Sequence, residues 1–350
     1  MISVATRVLV SPSVLIVGCG NIAGGFDLGR AASDLPYTHT GAYSRDGRFN
    51  IAVCIEPDDN RRTEFMAAWG VPIGFRSIDE ILDSSFQFEV ISICSPTICH
   101  AHDLEIALRL KPKLIFCEKP ITTSYADTER LVAECRKANI LLAVNYTRRW
   151  DPEISKLQAN IHAGRWGLLR SVTGLYNKGI LNNGSHMLDL LHLIVGSMEI
   201  VKVGTPVYDF FPNDPSIPVW LEDPRGVPIH LACAHAEDYA VFELHLIFSQ
   251  GVLTMEEGGM YWRERRAIAS TTFKGYRKLD EGEHRTGKYP YAMLQAVDNI
   301  YRAIKQGEPL ASTGESALSA QRLCEQVKQL ACVMDPVEAK STNCKVGASV

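Results

Sequence analysis

Val14-Leu15-Ile16-Val17-Gly18-Cys19-Gly20-Asn21-Ile22-Ala23-Gly24 decides how the first half of this chain folds. Four apolar residues in a row suit a strand covered on both faces, as in a parallel sheet. The glycines that follow stand at Gly-x-Gly-x-x-Ala spacing. Gly18 permits a tight turn, Gly20 lets backbone approach a pyrophosphate, and a small Ala23 lets the following helix pack close. The pyrophosphate would rest on that helix's N-terminus, where backbone N–H groups are unpaired. Gly18, Gly20, Asn21, Ile22 and Ala23 are therefore candidate cofactor contacts, with a helix expected over 22–30. The second strand, Ile51-Ala52-Val53-Cys54-Ile55-Glu56, ends on a carboxylate. Glu56 there would accept from ribose hydroxyls and oppose a 2′-phosphate, so NAD is expected rather than NADP. Arg61 and Arg62 stand nearby as the cations that could hold a phosphate instead. Glu56 lies 32 residues after Gly24, against the usual ~20 from such a motif. The surplus, 25–40, contains Pro36-Tyr37-Thr38-His39-Thr40 and is read as a surface insertion, the alternative being a loop beside the cofactor.

The pattern continues outward from this stretch. Strands are expected at 14–18, 50–56, 71–75, 89–94, 113–117 and 140–144, alternating with helices at 58–69, 100–110 and 123–138. Such alternation implies a parallel sheet with right-handed crossovers. Leu114-Ile115-Phe116-Cys117 runs into Glu118-Lys119-Pro120, which places a lysine at the carboxyl end of a parallel strand, where open α/β sheets bind ligands. After about Trp150 the period changes. Helices are expected at 153–162 and 185–195, then period-2 runs at 170–176, 229–234, 241–248 and 252–255, then helices at 290–305 and 314–333. Alternation of this kind suits an antiparallel sheet with one covered face. The expected organisation is a dinucleotide-binding domain over 1–147, an α+β domain over 148–338 and a loose tail over 339–350.

With 350 residues, two domains are expected. Hydrophobic content of 46%, charge of 22% and a net charge of −4 are those of a soluble globular protein and point away from nucleic acid and membrane surfaces. No run of 18 apolar residues exists to span a bilayer. Met1 to Ser13 is read as a short extension feeding the first strand rather than a signal peptide. The ten cysteines form no C-x-x-C and show no ligand spacing with histidines, so reduced thiols in the cytoplasm are expected, and no metal.

Five pieces together resemble the glucose–fructose oxidoreductase / inositol dehydrogenase / rhizopine-catabolism (Gfo/Idh/MocA) family. They are Gly18–Gly24 with Glu56; Ser95-Pro96-Thr97-Ile98-Cys99-His100; Glu118-Lys119-Pro120; Asn145-Tyr146-Thr147-Arg148-Arg149-Trp150; and Gly184-Ser185-His186-Met187-Leu188-Asp189. The resemblance spans about residues 14 to 333. It implies a Rossmann domain followed by an α+β domain with a large, mostly antiparallel open sheet, and homodimers or homotetramers built on that sheet's open face. It implies NAD or NADP, with Ser95, Pro96, Thr97, His100, Glu118 and Lys119 bordering the cofactor. It also implies that Lys119 and His186 face a sugar-like polyol in a cleft between the domains. Many members carry an Asp four residues before the histidine; here Asn182 stands there, and an amide cannot take a proton as a carboxylate does. Proton transfer then falls to Lys119 or His186, while Arg148, Arg149, Lys178 and Asn182 are the candidate substrate contacts. The expected activity is NAD-dependent hydride transfer between nicotinamide and a ring hydroxyl or ketone of a carbohydrate, a nucleotide-linked or amino sugar among the candidates. The alternatives are a cyclitol (inositol-type) dehydrogenase and a non-enzymatic NAD-binding regulator on the same fold.

Overall fold

The computed structural model describes residues 11–31, 33–82 and 84–334. The expected N-terminal extension lies largely outside them; the 339–350 tail and Cys344 lie wholly outside. Two compact units emerge from the packing: the chain up to Pro152 with Pro290–Leu318, and Glu153–Tyr289 with the chain from Ser319 onward.

In the first unit, β1 (Ser13–Val17), β2 (Asn50–Ile55), β3 (Ile73–Phe75), β4 (Val90–Ile93), β5 (Leu114–Cys117) and β6 (Leu141–Val144) form one parallel sheet in the order β3-β2-β1-β4-β5-β6. Val14, Leu15, Ile16, Val90, Leu114 and Phe116 are fully buried, the reason these strands read as unbroken apolar runs. The crossovers are helical: α1 (His39–Asp46), α2 (Asp59–Trp69), α3 (His100–Leu110) and α4 (Tyr125–Lys137).

The helix expected over 22–30 is not there. Gly24 and Phe26 close helical turns on Gly20 and Asn21 (N···O 3.2 and 3.0 Å), and a 3₁₀ turn ends the run at Asp27. Helix proper resumes at His39. His39 N donates to Ile22 O at 3.2 Å and Thr40 N to Ala23 O at 2.9 Å, so α1 takes up the hydrogen-bond ladder where the first turn leaves it. The expected insertion is thus spliced into the fingerprint helix. Asp27 pins its ends together, accepting from Tyr37 N at 3.0 Å, Thr38 N at 2.9 Å and Thr38 Oγ1 at 2.6 Å. Thr38 in turn caps α1 through Gly41 N, and Gly47 (φ 74°) ends it in the left-handed conformation.

In the second unit, α5 (Pro152–His162) and α6 (Ser185–Val195) pack on a mixed sheet whose main path runs β16-β15-β14-β13-β7-β12-β11-β8. Its strands are β7 (Leu169–Tyr176), β8 (Glu199–Val203), β11 (Val219–Glu222), β12 (Pro228–Cys233), β13 (Phe242–Phe248), β14 (Gly251–Glu256), β15 (Tyr261–Ala269), β16 (Arg277–Leu279) and β17 (Glu283–Thr286), the last paired with β15. Only β7 and β12 pair in parallel; the other pairings are antiparallel. A separate hairpin joins β9 (Val207–Phe211) to β10 (Asp214–Ser216). Along β13, Phe242, Leu244, Leu246 and Phe248 enter the core while Glu243, His245 and Ile247 stay partly exposed on the other face.

Residues from 290 divide differently from the expected 148–338 domain. Met293, Ala296, Val297 and Ile300 on α7 (Ala292–Gln306) share one core with Ala42, Tyr43 and Trp150 of the first unit. Their spacing makes a helical stripe, which says that the helix is amphipathic and not which core it covers. The last helix, α8 (Gly314–Met334), passes to the second unit after Leu318.

Candidate active site

The turns after β1 and β4 are pressed together. Gly18 has φ 86°, and a Cβ there would lie 2.6 Å from Ser95 N, so only glycine fits. A Cβ on Gly20 would meet nothing within 4 Å, which leaves its backbone open to an approaching phosphate. Ala23 is fully buried and does the packing instead, while Asn21 is exposed and Ile22 half-buried. Glu56 follows β2 and is 4% exposed. Its Oε2 accepts from Cys19 N at 3.1 Å, and its Oε1 accepts from Asp58 N at 3.1 Å and from Arg61 at 3.4 Å. Arg62 is committed elsewhere, to Glu56 O at 2.7 Å and to Asp59. The carboxylate therefore lies directly under the glycine turn, and both nearby arginines are already engaged. An open Gly20 backbone flanked by a fixed carboxylate fits a dinucleotide.

The end of β5 delivers Glu118, Lys119 and Pro120, with a cis Lys119–Pro120 peptide. Glu118 Oε1 accepts from Asn145 Nδ2 at 2.6 Å and lies 2.9 Å from His39 Nε2; Oε2 accepts from Lys119 N at 3.3 Å. Burial pushes the Glu118 carboxyl up, but His39, Asn145 and the Lys119 charge together hold it below the ordinary carboxylate value. His39 is fully buried and stacks on Phe116 with ring centroids 4.1 Å apart. Its Nδ1 lies 3.4 Å from Ser92 Oγ, which bonds Tyr43 OH at 2.9 Å. His100 is 1% exposed, with Nε2 2.8 Å from Ser95 O and Nδ1 3.0 Å from Pro120 O. Its ring therefore lies between the Ser95-Pro96-Thr97 turn and the Glu118-Lys119-Pro120 turn, with a protein carbonyl oxygen within hydrogen-bond reach of each nitrogen. Ser95 Oγ donates to Asp103 at 2.5 Å. Arg148 and Arg149 are half-buried in a 3₁₀ turn, Thr147–Trp150, and Arg149 donates to Ala311 O at 3.4 Å.

In the second unit, Lys178, Asn182 and His186 lie along one stretch: a left-handed residue, a π-helical turn over Gly179–Gly184, then the start of α6. The β9–β10 hairpin holds this stretch by its amides. Asp209 accepts from Lys178 N at 2.8 Å, Ser216 Oγ from Gly179 N at 2.9 Å, and Asp214 from Leu181 N and Asn182 N, each at 2.9 Å. His186 is half-buried and Asp189, one turn on, is 2% exposed. Asn182 Nδ2 donates to Lys178 O at 3.0 Å. An Asp there would set a carboxylate against that carbonyl, so Asn182→Asp is expected to cost about 1–3 kcal/mol. A lower denaturation midpoint in urea is the check; an unchanged midpoint would mean that the bond contributes nothing.

The first-unit candidates thus gather at the carboxyl ends of β1, β2, β4 and β5. Residues 13–146 match the GFO_IDH_MocA family, described as "Oxidoreductase family, NAD-binding Rossmann fold". Over those residues the chain is similar to the family's NAD-binding domain. Among curated relatives, the chain is 29% identical over 109 residues to a myo-inositol 2-dehydrogenase of Thermotoga maritima, covering 31% of the chain and 32% of that protein. It is 26% identical over 278 residues to an inositol 2-dehydrogenase of Rhizobium meliloti, covering 71% and 80%. The match thus spans about a third of the Thermotoga relative's length. Among solved structures it is similar to the WlbA dehydrogenase of Bordetella pertussis in complex with NADH and UDP-GlcNAcA, with TM-score 0.72, 17% identity, and 92% and 96% of the two chains covered. At that identity the likeness establishes the shared fold.

Sequence reasoning missed His39, which it left inside a surface insertion, and the aspartates Asp209 and Asp214. Thr38 before and Gly47 after are ordinary helix-boundary signals, so α1 was there to be found. The aspartates carried no local signal, because they act across the hairpin on backbone thirty residues away.

Proposed function

We propose that this protein is an NAD-dependent oxidoreductase that moves a hydride between nicotinamide and a ring hydroxyl or ketone of a carbohydrate. One observation carries the reading: Lys119 leaves the same sheet edge as the glycine turn, on a backbone whose preceding carboxylate is pinned by His39 and Asn145. Gly18, Gly20, Asn21, Glu56 and the Ser95–Thr97 turn would hold NAD, whose nicotinamide supplies the hydride chemistry. Lys119 exchanges the proton at the substrate oxygen. His186 is the second proton-transfer group, and Asn182, Arg148 and Arg149 orient the polyol. Asn182 cannot replace a carboxylate base, because an amide does not take up a proton as a carboxylate does; its Nδ2 donates to Lys178 O instead.

The relatives' names favour polyols, and the inositol dehydrogenases among them make a cyclitol the second reading. A panel of cyclitols, free sugars, sugar acids and nucleotide sugars, followed at the NADH absorbance, separates the two. No turnover on any of them, with NAD bound, would leave an NAD-binding regulator. Glu56 under the glycine turn favours NAD over NADP. Calorimetric titration is expected to give NAD the tighter binding by at least about tenfold, the scale of one unpaired charge; equal affinities would remove Glu56 from the ribose site.

The nine described cysteines are free, which supports a reducing cytoplasmic setting. The partly exposed face of β13 supports a homodimer or homotetramer built on that sheet. Light scattering on the purified protein decides it.

A further inference from the structure

We infer that Lys178 forms a substrate subsite for an anionic group, so that the carbohydrate carries a carboxylate or a phosphate. The inference rests on the reading above, in which the stretch leading to His186 meets substrate. Lys178 has φ 64°, a left-handed conformation that a side chain adopts at a cost and a glycine would adopt freely. Strain of this kind persists where the surroundings impose it. Here they do: its own amide is bound by Asp209, and the next residues by Ser216 and Asp214.

The side chain is half-buried, yet among the described residues the recorded partner of its ammonium is the Phe210 ring, 5.2 Å from Nζ to centroid. An ammonium has three donors and no acceptor. A ring face attracts its charge without accepting a conventional hydrogen bond. The two carboxylates on the adjoining hairpin are already spent. Asp209 serves Lys178 N and Ser216 Oγ, and Asp214 serves Leu181 N and Asn182 N. The latter pair of bonds also closes the start of the π-helical turn to an outside anion, which leaves the ammonium as the group an anion would find. Phe210 and Tyr208, 56% and 60% exposed on the same hairpin strand, add apolar surface of the sort that covers the C–H face of a sugar ring. The arrangement is a partly desolvated cation, conformationally held, with donors to spare. A lysine ammonium accepts a carboxylate or a phosphate as a point charge. The anion is then either the acid group of the sugar itself or the phosphate of a nucleotide carrier.

The test is equilibrium binding to the NAD-loaded full-length protein with three probes: glucose, glucuronate and UDP-glucose. At least one anionic probe is expected to bind about tenfold or more tightly than glucose, with an advantage that shrinks as salt rises. A tighter glucuronate assigns the sugar carboxylate, and a tighter UDP-glucose the carrier phosphate. Lys178→Gln should remove the advantage and Lys178→Arg should keep most of it. Lys178→Gly guards against misfolding: relief of strain should raise the melting temperature while the anionic advantage disappears. The inference is overturned if neither anionic probe binds better than glucose, or if Lys178→Gln retains the advantage. Failure of the dehydrogenase reading shows separately, as absence of NAD binding or of turnover, whereas the affinity gap is read without turnover.

Discussion

Lys119→Ala is expected to lose a factor of ~10²–10⁴ in kcat while binding NAD almost as tightly as the wild type. The factor is what general acid–base help from one positioned side chain is typically worth. The cofactor side should be spared, because the glycine turn and Glu56 are held by bonds among residues 17–61. Gly18 N bonds Ile55 O at 2.8 Å and Cys19 N bonds Glu56. Steady-state kinetics on whichever polyol proves active, with calorimetric NAD titration of the same preparation, reads both halves. Near wild-type kcat in the variant would remove Lys119 from the chemistry. A loss of NAD affinity equal to the loss of rate would make it a cofactor ligand instead.

His39→Leu should be the most destabilising single change near the site. The leucine replaces the ring stacked on Phe116 but leaves Glu118 with only Asn145 and its own neighbour's amide. Leaving a buried carboxylate short of a hydrogen-bond partner costs about 1–3 kcal/mol, and the 12% exposure that the Glu118 side chain keeps limits the cost. The pH dependence has a definite sign. Glu118 is held below its ordinary value of 4.5, so the pairing stabilises the fold above that pH and is lost as pH falls through the depressed value. The deficit of His39→Leu is therefore full near neutrality and shrinks on the acid side of pH 4.5. Urea denaturation followed from pH 7 to well below pH 4.5 measures it. A deficit that persists after the carboxyl has been protonated would mean that Glu118 is not the group concerned.

The central strands of the parallel sheet were legible because β1, β4 and β5 lie buried on both faces, so composition alone marks them, while the short edge strand β3 is only partly buried. Lys119 was legible because a strand end places it. In the second unit the long strands β7, β12, β13 and β14 showed their period, whereas β8 to β11 and β15 to β17 did not. Short or edge strands such as Glu199-Ile200-Val201-Lys202-Val203 carry too little alternation to separate them from loop, and the nine-residue β15 hides its period behind the charged run Arg263-Glu264-Arg265-Arg266.

What the sequence by itself determined is the local part of this protein: the order of strands and helices, the glycine turn, the carboxylate ending β2 and the lysine ending β5. Each of these follows from side-chain period or backbone freedom within a few residues. Only the tertiary structure decided that α7 covers the first unit's core, that His39 returns from an inserted loop to grip Glu118, and that two hairpin aspartates hold Lys178 in a strained conformation. Those contacts join residues dozens to hundreds of positions apart. Their energy comes from burial and hydrogen bonds made after the chain has folded, and no local pattern records it.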